Sequence, residues 1–120
     1  MLFRSSISGV CSRGAADADI AGATISLSTG LSGTYLSRQL IASIGRLNYN
    51  LYVDPARTLV WGNGVAGTST VNALTLQVNG RFLNPGASRS FTLNVYGRIP
   101  ANQSVRTGAY TDTIIVTVNY

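Results

Sequence analysis

The sequence has no histidine, no lysine and no glutamate, and it contains a single cysteine, Cys11. Proton transfer and nucleophile activation in enzymes rely mainly on these side-chain types. Asp112 lies within a sequence motif and could be a nucleophile, but no base is available to activate it. We therefore expect a turn or strand-edge hydrogen bond at Asp112, no catalytic activity and no cofactor.

Acidic residues are also too few for a convincing metal site. Only four carboxylates are present, and the closest pair, Asp17 and Asp19, lies in a loop rich in glycine and alanine. Calcium requires about six to eight oxygen ligands, so two carboxylates without acidic neighbours make a weak site. We expect solvated loop charges at both positions and no bound metal.

The basic side chains are all arginine, and they outnumber the acidic ones by 9 to 4, giving a net charge of +5. They are scattered singly, without the basic runs or stacking motifs that typify nucleic-acid binding. We expect dispersed, solvated charges and no nucleic-acid partner. No apolar run reaches transmembrane length, and residues 1–7 lack the apolar core of a signal peptide. The sequence thus predicts neither membrane insertion nor an export signal within this chain.

Short alternating segments dominate what remains. With 45% hydrophobic and 11% charged residues, the 120-residue chain is expected to form one folded domain, residues 1–120. About seven strands with turn signals between them predict an antiparallel β-sandwich. Residues 1–22 are either irregular or a remnant of early strands, and residues 35–44 fit a helix or a strand, with strand favoured. The alternation predicts an inward set of Ile25, Leu27, Leu47, Tyr49, Leu51, Leu74, Leu76, Leu93, Val95, Ile114, Val116 and Val118.

The last residues of the sequence form the most regular strand pattern. Residues 110–120 predict a long strand with Ile114, Val116 and Val118 on one face and Ile115 and Thr117 on the other. Such a strand either lies inside a sheet or leaves an edge for a strand from another molecule, because an unpaired apolar edge favours added strands.

Four aromatic residues have two interpretations. Trp61, Tyr49, Tyr52 and Tyr96 could form a sugar-stacking platform, as in a lectin. Aromatic side chains in a sandwich more often fill the core or cover a sheet face. We favour the core.

Three motifs together resemble one protein family. They are residues 47–64 (LNYNLYVDPARTLVWGNG), residues 95–101 (VYGRIPA) and residues 108–113 (GAYTDT) followed by an alternating strand. Their order and spacing are similar to those of the spore coat protein U domain family, which includes the subunits of archaic, Csu-type chaperone–usher pili. The resemblance covers residues 5–120, with a looser stretch at residues 70–90.

The resemblance implies an immunoglobulin-like sandwich that lacks its last strand. In such pili a chaperone strand fills the gap first and the N-terminal extension of the next subunit fills it later. The groove-lining positions would be Ile114, Val116 and Val118, and Tyr120 would supply the terminal carboxylate that anchors in the chaperone. The implied partners are a periplasmic chaperone, an usher and neighbouring subunits, and the implied location is a secreted surface fibre that acts in adhesion and biofilm formation.

The sequence departs from the family pattern near its start. Cys11 matches the second cysteine of a family disulfide, and its partner is absent from this chain. We therefore expect a sequence truncated at its N-terminus that lacks the family's first strand, and without the partner Cys11 would be a small buried apolar residue. The alternatives to a fibre subunit are an adhesin-type or carbohydrate-binding module and a spore or surface coat protein.

Overall fold

The structure is a computed structural model that describes residues 1–11, 24–72 and 89–119. Short stretches of alternating apolar and polar residues form most of its secondary structure, as expected for half-buried strands. The strands are β1 (Leu2–Cys11), β2 (Thr24–Leu27), β3 (Arg38–Ala42), β4 (Gly45–Tyr52), β5 (Val71–Asn72), β6 (Arg89–Arg98) and β7 (Val116–Asn119), and one 3₁₀ helix spans Gly30–Ser32. None of the helical structure in these ranges is long and apolar enough to cross a membrane.

Two antiparallel sheets pack face to face. The four-stranded sheet has the order β1-β6-β4-β3, and the three-stranded sheet has the order β5-β2-β7. Each inner face is lined by alternate residues, as in other sandwiches. The predicted all-β antiparallel sandwich is confirmed, and the segment that fitted either a helix or a strand contains β3.

The core lies between the sheets and is centred on a tryptophan. Its buried apolar members are Ile25, Leu27, Tyr49, Leu51, Trp61 and Val95. Leu93 and Ile114, also predicted to point inward, are half-buried and pack against this cluster. The predicted inward residues Leu74 and Leu76 and the loop residues Asp17 and Asp19 lie outside the described part of the chain.

The start of the chain is more regular than the sequence suggested. Residues 2–11 form a full strand in antiparallel register with β6, from Leu2 opposite Arg98 to Cys11 opposite Arg89. The sequence left this strand as one of two alternatives because Ser5 occupies an inward position between Phe3 and Ile7, which weakens the alternation. Of the two alternatives for residues 1–22, an early strand describes residues 2–11.

Val60 and Trp61, which follow β4 after a turn, make only isolated bridges. Val60 pairs with Tyr52 and Trp61 pairs with Ser69. In the preceding turn the Asp54 carboxylate accepts hydrogen bonds from the backbone N–H groups of Thr58 and Leu59, both at 3.0 Å. Trp61 is buried in the core although the residues around it form no regular strand ladder.

The long terminal strand predicted for residues 110–120 is wrong in extent. The ladder of β7 covers only Val116–Asn119. Thr111 instead exchanges two backbone hydrogen bonds with Ile41 of the other sheet, at 2.7 and 3.0 Å. The chain therefore crosses from one sheet to the other over residues 112–115, and a period of two in the sequence does not register such a crossing.

One arginine departs from the expected pattern of dispersed, solvated charges. Arg38 is fully buried, with 0% of its surface exposed. Its guanidinium donates to the carbonyl oxygens of Ser28 (2.7 and 3.0 Å) and Trp61 (2.6 Å) and to Oδ1 of Asn50 (2.7 Å). Burial lowers its pKa, and the nearby Tyr49, Tyr35 and Asp112 oppose that shift. Because Ser28 follows β2 and Asn50 belongs to β4, Arg38 ties the two sheets together.

Candidate binding groove

An apolar groove opens between the two sheets on the side where β1 and β7 lie. Its volume is about 280 Å³. Side chains of both sheets line it, so that an occupant would contact the core directly. The lining residues are Phe3, Ser5, Ser6, Ile7, Leu27, Leu40, Tyr49, Leu51, Val95, Ile114 and Val116.

The two rims of the groove are the end strands of the two sheets. Both β1 and β7 are terminal in their sheets, so within the described residues each has hydrogen-bonded strand pairing on one side only. Val116 pairs with Leu27 and Val118 pairs with Ile25, both of which are buried. Val116 and Val118 are nonetheless 40% and 37% exposed. Both are exposed because, among the described residues, no strand pairs with the edge of β7 that faces away from β2.

Of the four residues that the family resemblance suggested for the groove, the structure places two in its lining. Ile114 and Val116 line it. Val118 lies on the same face of β7 but is not part of the groove wall, and Tyr120 lies outside the described residues. For Cys11 only the backbone position in β1 is described, so its match to a family disulfide cysteine and its burial without a partner stay predictions.

Sequence reasoning missed the opposite wall, which β1 provides. Phe3, Ser5 and Ile7 face the groove from this strand. The ring of Phe3 covers Gly97, and a Cβ atom added at Gly97 would overlap it. The available signal was the glycine inside the motif of residues 95–101, because a glycine within a strand often marks the close approach of another group.

The floor of the groove includes a tyrosine whose hydroxyl group is held by a carboxylate. Tyr49 is 4% exposed, and its hydroxyl donates a hydrogen bond of 2.5 Å to Oδ2 of Asp112. Burial, followed by this hydrogen bond and the charge of Asp112, raises the pKa of Tyr49 above its ordinary value, and Arg38 opposes the shift. The hydrogen bond predicted for Asp112 is present.

This raised pKa predicts how stability depends on pH. In the unfolded chain Tyr49 ionises near pH 10, whereas the folded chain keeps its hydroxyl protonated. The stabilisation from Tyr49 is therefore complete below pH 10 and is lost as the pH rises above it. We expect the urea midpoint of the parent to fall more steeply above pH 10 than that of Tyr49→Phe. Equal slopes for the two proteins between pH 8 and 11 would contradict the assignment.

The aromatic residues are divided between the core and the surface of the four-stranded sheet. Trp61 is fully buried and donates from Nε1 to the carbonyl oxygen of Ile25 at 2.9 Å. Tyr52 and Tyr96 are half-buried cross-strand neighbours. The prediction that Trp61 and Tyr49 fill the core is confirmed, which removes both from a sugar-stacking platform. Within the described ranges, no three His, Cys, Asp or Glu side chains are grouped to hold a metal ion.

Comparison with known proteins identifies the family. The sequence profile of the Spore Coat Protein U domain matches residues 3–117. The chain belongs to the spore coat protein U domain family. The family assignment suggested by the motifs is thereby confirmed, and it covers both the groove and the core of this domain.

Two relatives put the spore coat protein U domain in context. Protein U of Myxococcus xanthus is 34% identical over 79 residues, which are 66% of this chain and 37% of that protein. The crystal structure of the CsuC–CsuE chaperone–tip adhesion subunit pre-assembly complex, from archaic chaperone–usher Csu pili of Acinetobacter baumannii, contains a similar fold. The TM-score is 0.61 at 18% identity, over 100% of this chain and 33% of the matched chain. The likeness supports the predicted immunoglobulin-like sandwich. The chain spans only about a third of the length of each relative.

Proposed function

We propose that this chain is the β-sandwich domain of a surface-fibre subunit of the chaperone–usher type, and that its groove accepts an extended strand from a partner. One observation carries the proposal: an apolar groove opens to the inside of the sandwich beside an edge strand, β7. An extended peptide can pair with such an edge through its main chain while its alternate side chains enter the groove.

The composition of the groove favours an apolar strand. Eight of the eleven lining residues are apolar. The others are Ser5, Ser6 and Tyr49, and Tyr49 directs its hydroxyl to Asp112. Full burial of one valine, leucine or isoleucine side chain contributes about 1.5–3 kcal/mol. An occupant that placed two or three such side chains between the sheets would gain about 3–9 kcal/mol from their burial, and main-chain pairing with β7 would add to it against the entropic cost of association.

The partners follow from the same mechanism. A chaperone strand would cover the groove before assembly, and a strand from a neighbouring subunit would replace it in the fibre, with an usher at the membrane. The matched solved structure is a complex of a chaperone and a tip adhesion subunit, which supports a chaperone as the first partner. A location at the cell surface, reached through the periplasm, and a role in adhesion and biofilm formation belong to the same proposal.

The decisive experiment places a charge in the groove. Val116→Asp would bring an unpaired carboxylate against apolar side chains, which is costly without a compensating partner. We expect this variant to lose co-purification with the cognate chaperone when both are directed to the periplasm. We expect its affinity for the chaperone to fall at least about a hundredfold, which corresponds to about 2.8 kcal/mol at 1.4 kcal/mol per factor of ten.

The neighbouring residue provides a matched control. Thr117 is exposed on the opposite face of β7, where it pairs with Ser26. Thr117→Asp introduces the same charge one residue away, and it should retain most of the chaperone binding. Chaperone binding by Val116→Asp at the parental level would refute strand addition at this groove and would favour a self-contained binding module.

A further inference from the structure

Residues 112–115, which lead into β7, cross from one sheet to the other beside the groove. Thr111 is bonded to Ile41 of β3, and the carbonyl oxygen of Ile115 accepts a hydrogen bond of 3.0 Å from the N–H of Ser28, next to β2. Between these two anchors the chain has no strand partner among the described residues. Ile114 lies within this span and Val116 follows it, so the crossing determines where both enter the groove.

A single carboxylate holds the crossing segment at its start. Oδ2 of Asp112 accepts the hydrogen bond from the Tyr49 hydroxyl group at 2.5 Å. Oδ1 accepts from the backbone N–H groups of Leu31 and Thr113, both at 2.8 Å. Asp112 therefore joins the crossing to the floor of the groove and to the 3₁₀ helix.

The carboxylate occupies a space that only glycine leaves open. A Cβ atom added at Gly30 would overlap the carboxylate of Asp112, and the φ angle of Gly30 is +72°, in the left-handed region. A side chain at Gly30 would thus be unfavourable for two independent reasons. Gly30 does not line the groove, so its replacement would affect an occupant indirectly, through Asp112 or through the 3₁₀ helix that contains it.

The geometry points to Asp112 as a positioning residue for strand binding: its carboxylate, seated between Tyr49, Leu31 and Gly30, sets the position of Ile114 and Val116 relative to the groove floor. This inference rests on the proposed function, because it concerns how the same groove accepts a strand. Tyr49 contributes to both parts, since its ring lines the groove and its hydroxyl holds the carboxylate.

The test measures the affinity of the folded chain for a fluorescein-labelled synthetic peptide of alternating valine and threonine. We expect Asp112→Ala to weaken binding about tenfold, and Tyr49→Phe and Gly30→Ala to weaken it severalfold. Because Asp112 and Tyr49 act through one hydrogen bond, the double variant should bind within about twofold of Asp112→Ala alone. In Asp112→Ala, backbone amide hydrogen exchange should become faster in β7 but not in β6.

Asp54 is a matched control for a purely structural carboxylate. It also accepts hydrogen bonds from a side-chain hydroxyl group and two backbone N–H groups, in the turn after β4 and away from the groove. Asp54→Ala should lower the urea midpoint and leave peptide affinity unchanged.

The outcomes separate this inference from the proposed function. If the parent does not bind the peptide and Val116→Asp does not change chaperone binding, the proposed function fails. If the parent binds the peptide and Asp112→Ala binds it equally well, strand acceptance stands and the positioning role of Asp112 is wrong. Equal losses of affinity for Asp112→Ala and Asp54→Ala would also overturn it, because global destabilisation would then explain both.

Discussion

Replacement of Arg38 with methionine is expected to destabilise the fold by about 3 kcal/mol or more, because each buried polar group left without a partner costs about 1–3 kcal/mol. The Arg38 side chain is fully buried. Its guanidinium donates hydrogen bonds to the carbonyl oxygens of Ser28 and Trp61 and to Oδ1 of Asn50. Methionine fills much of the same volume, so the loss reports these hydrogen bonds rather than a large cavity. Urea unfolding followed by far-ultraviolet circular dichroism measures it.

Two further variants separate the charge of Arg38 from its geometry. Arg38→Lys keeps the positive charge but lacks the planar fork, so it should reach fewer of the acceptors and lose an intermediate amount of stability. Arg46 is exposed and donates one hydrogen bond, to Gln39 at 3.1 Å. Arg46→Met should therefore change stability by no more than about 0.5 kcal/mol. A similar loss for Arg38→Met and Arg46→Met would refute the structural role of Arg38.

The sequence predicted the strands that have one clearly apolar face. In β2 and β4 the alternation of Ile25 with Leu27, and of Tyr49 with Leu51, matches the buried side of each strand. The pattern is sufficient there because each residue is either in the core or in solvent. In β1 it fails, because Ser5 is a polar residue that faces the groove between the sheets.

Features that depend on contacts between distant segments were not predictable in this way. The burial of Arg38 requires acceptors from residues 28, 50 and 61, which the fold brings together from three parts of the chain. The sheet crossing before β7 depends on Thr111 pairing with Ile41. The family resemblance indicated a groove at the terminal strand, but only the three-dimensional structure reveals β1 as its second wall.

Truncation of the core tryptophan should have the largest effect on the fold. Trp61 is fully buried, and Trp→Ala replacements in cores cost about 3–5 kcal/mol. Its removal also leaves the carbonyl oxygen of Ile25 without the Nε1 donor. Because small domains have about 5–15 kcal/mol of total stability, Trp61→Ala is expected to lose a large part of it and to unfold at a much lower urea concentration than the parent.

Trp61→Phe and Leu59→Ala calibrate this loss. Phenylalanine keeps an aromatic ring in the core but cannot donate to Ile25, so its cost should be intermediate. Leu59 is 49% exposed two residues away, and its truncation should cost far less. The chain has a single tryptophan, so unfolding of the Trp61 variants must be followed by circular dichroism rather than by tryptophan fluorescence.

Strand binding should rescue the tryptophan variant if the groove remains able to form. A ligand that binds only the folded state adds about 2.7 kcal/mol at a concentration of one hundred times Kd. We expect the alternating valine–threonine peptide to raise the urea midpoint of Trp61→Ala and to leave that of Val116→Asp unchanged. Of these two positions, Val116 lines the groove and Trp61 does not. Rescue of both variants to the same degree would mean that the peptide stabilises the chain at a site other than this groove.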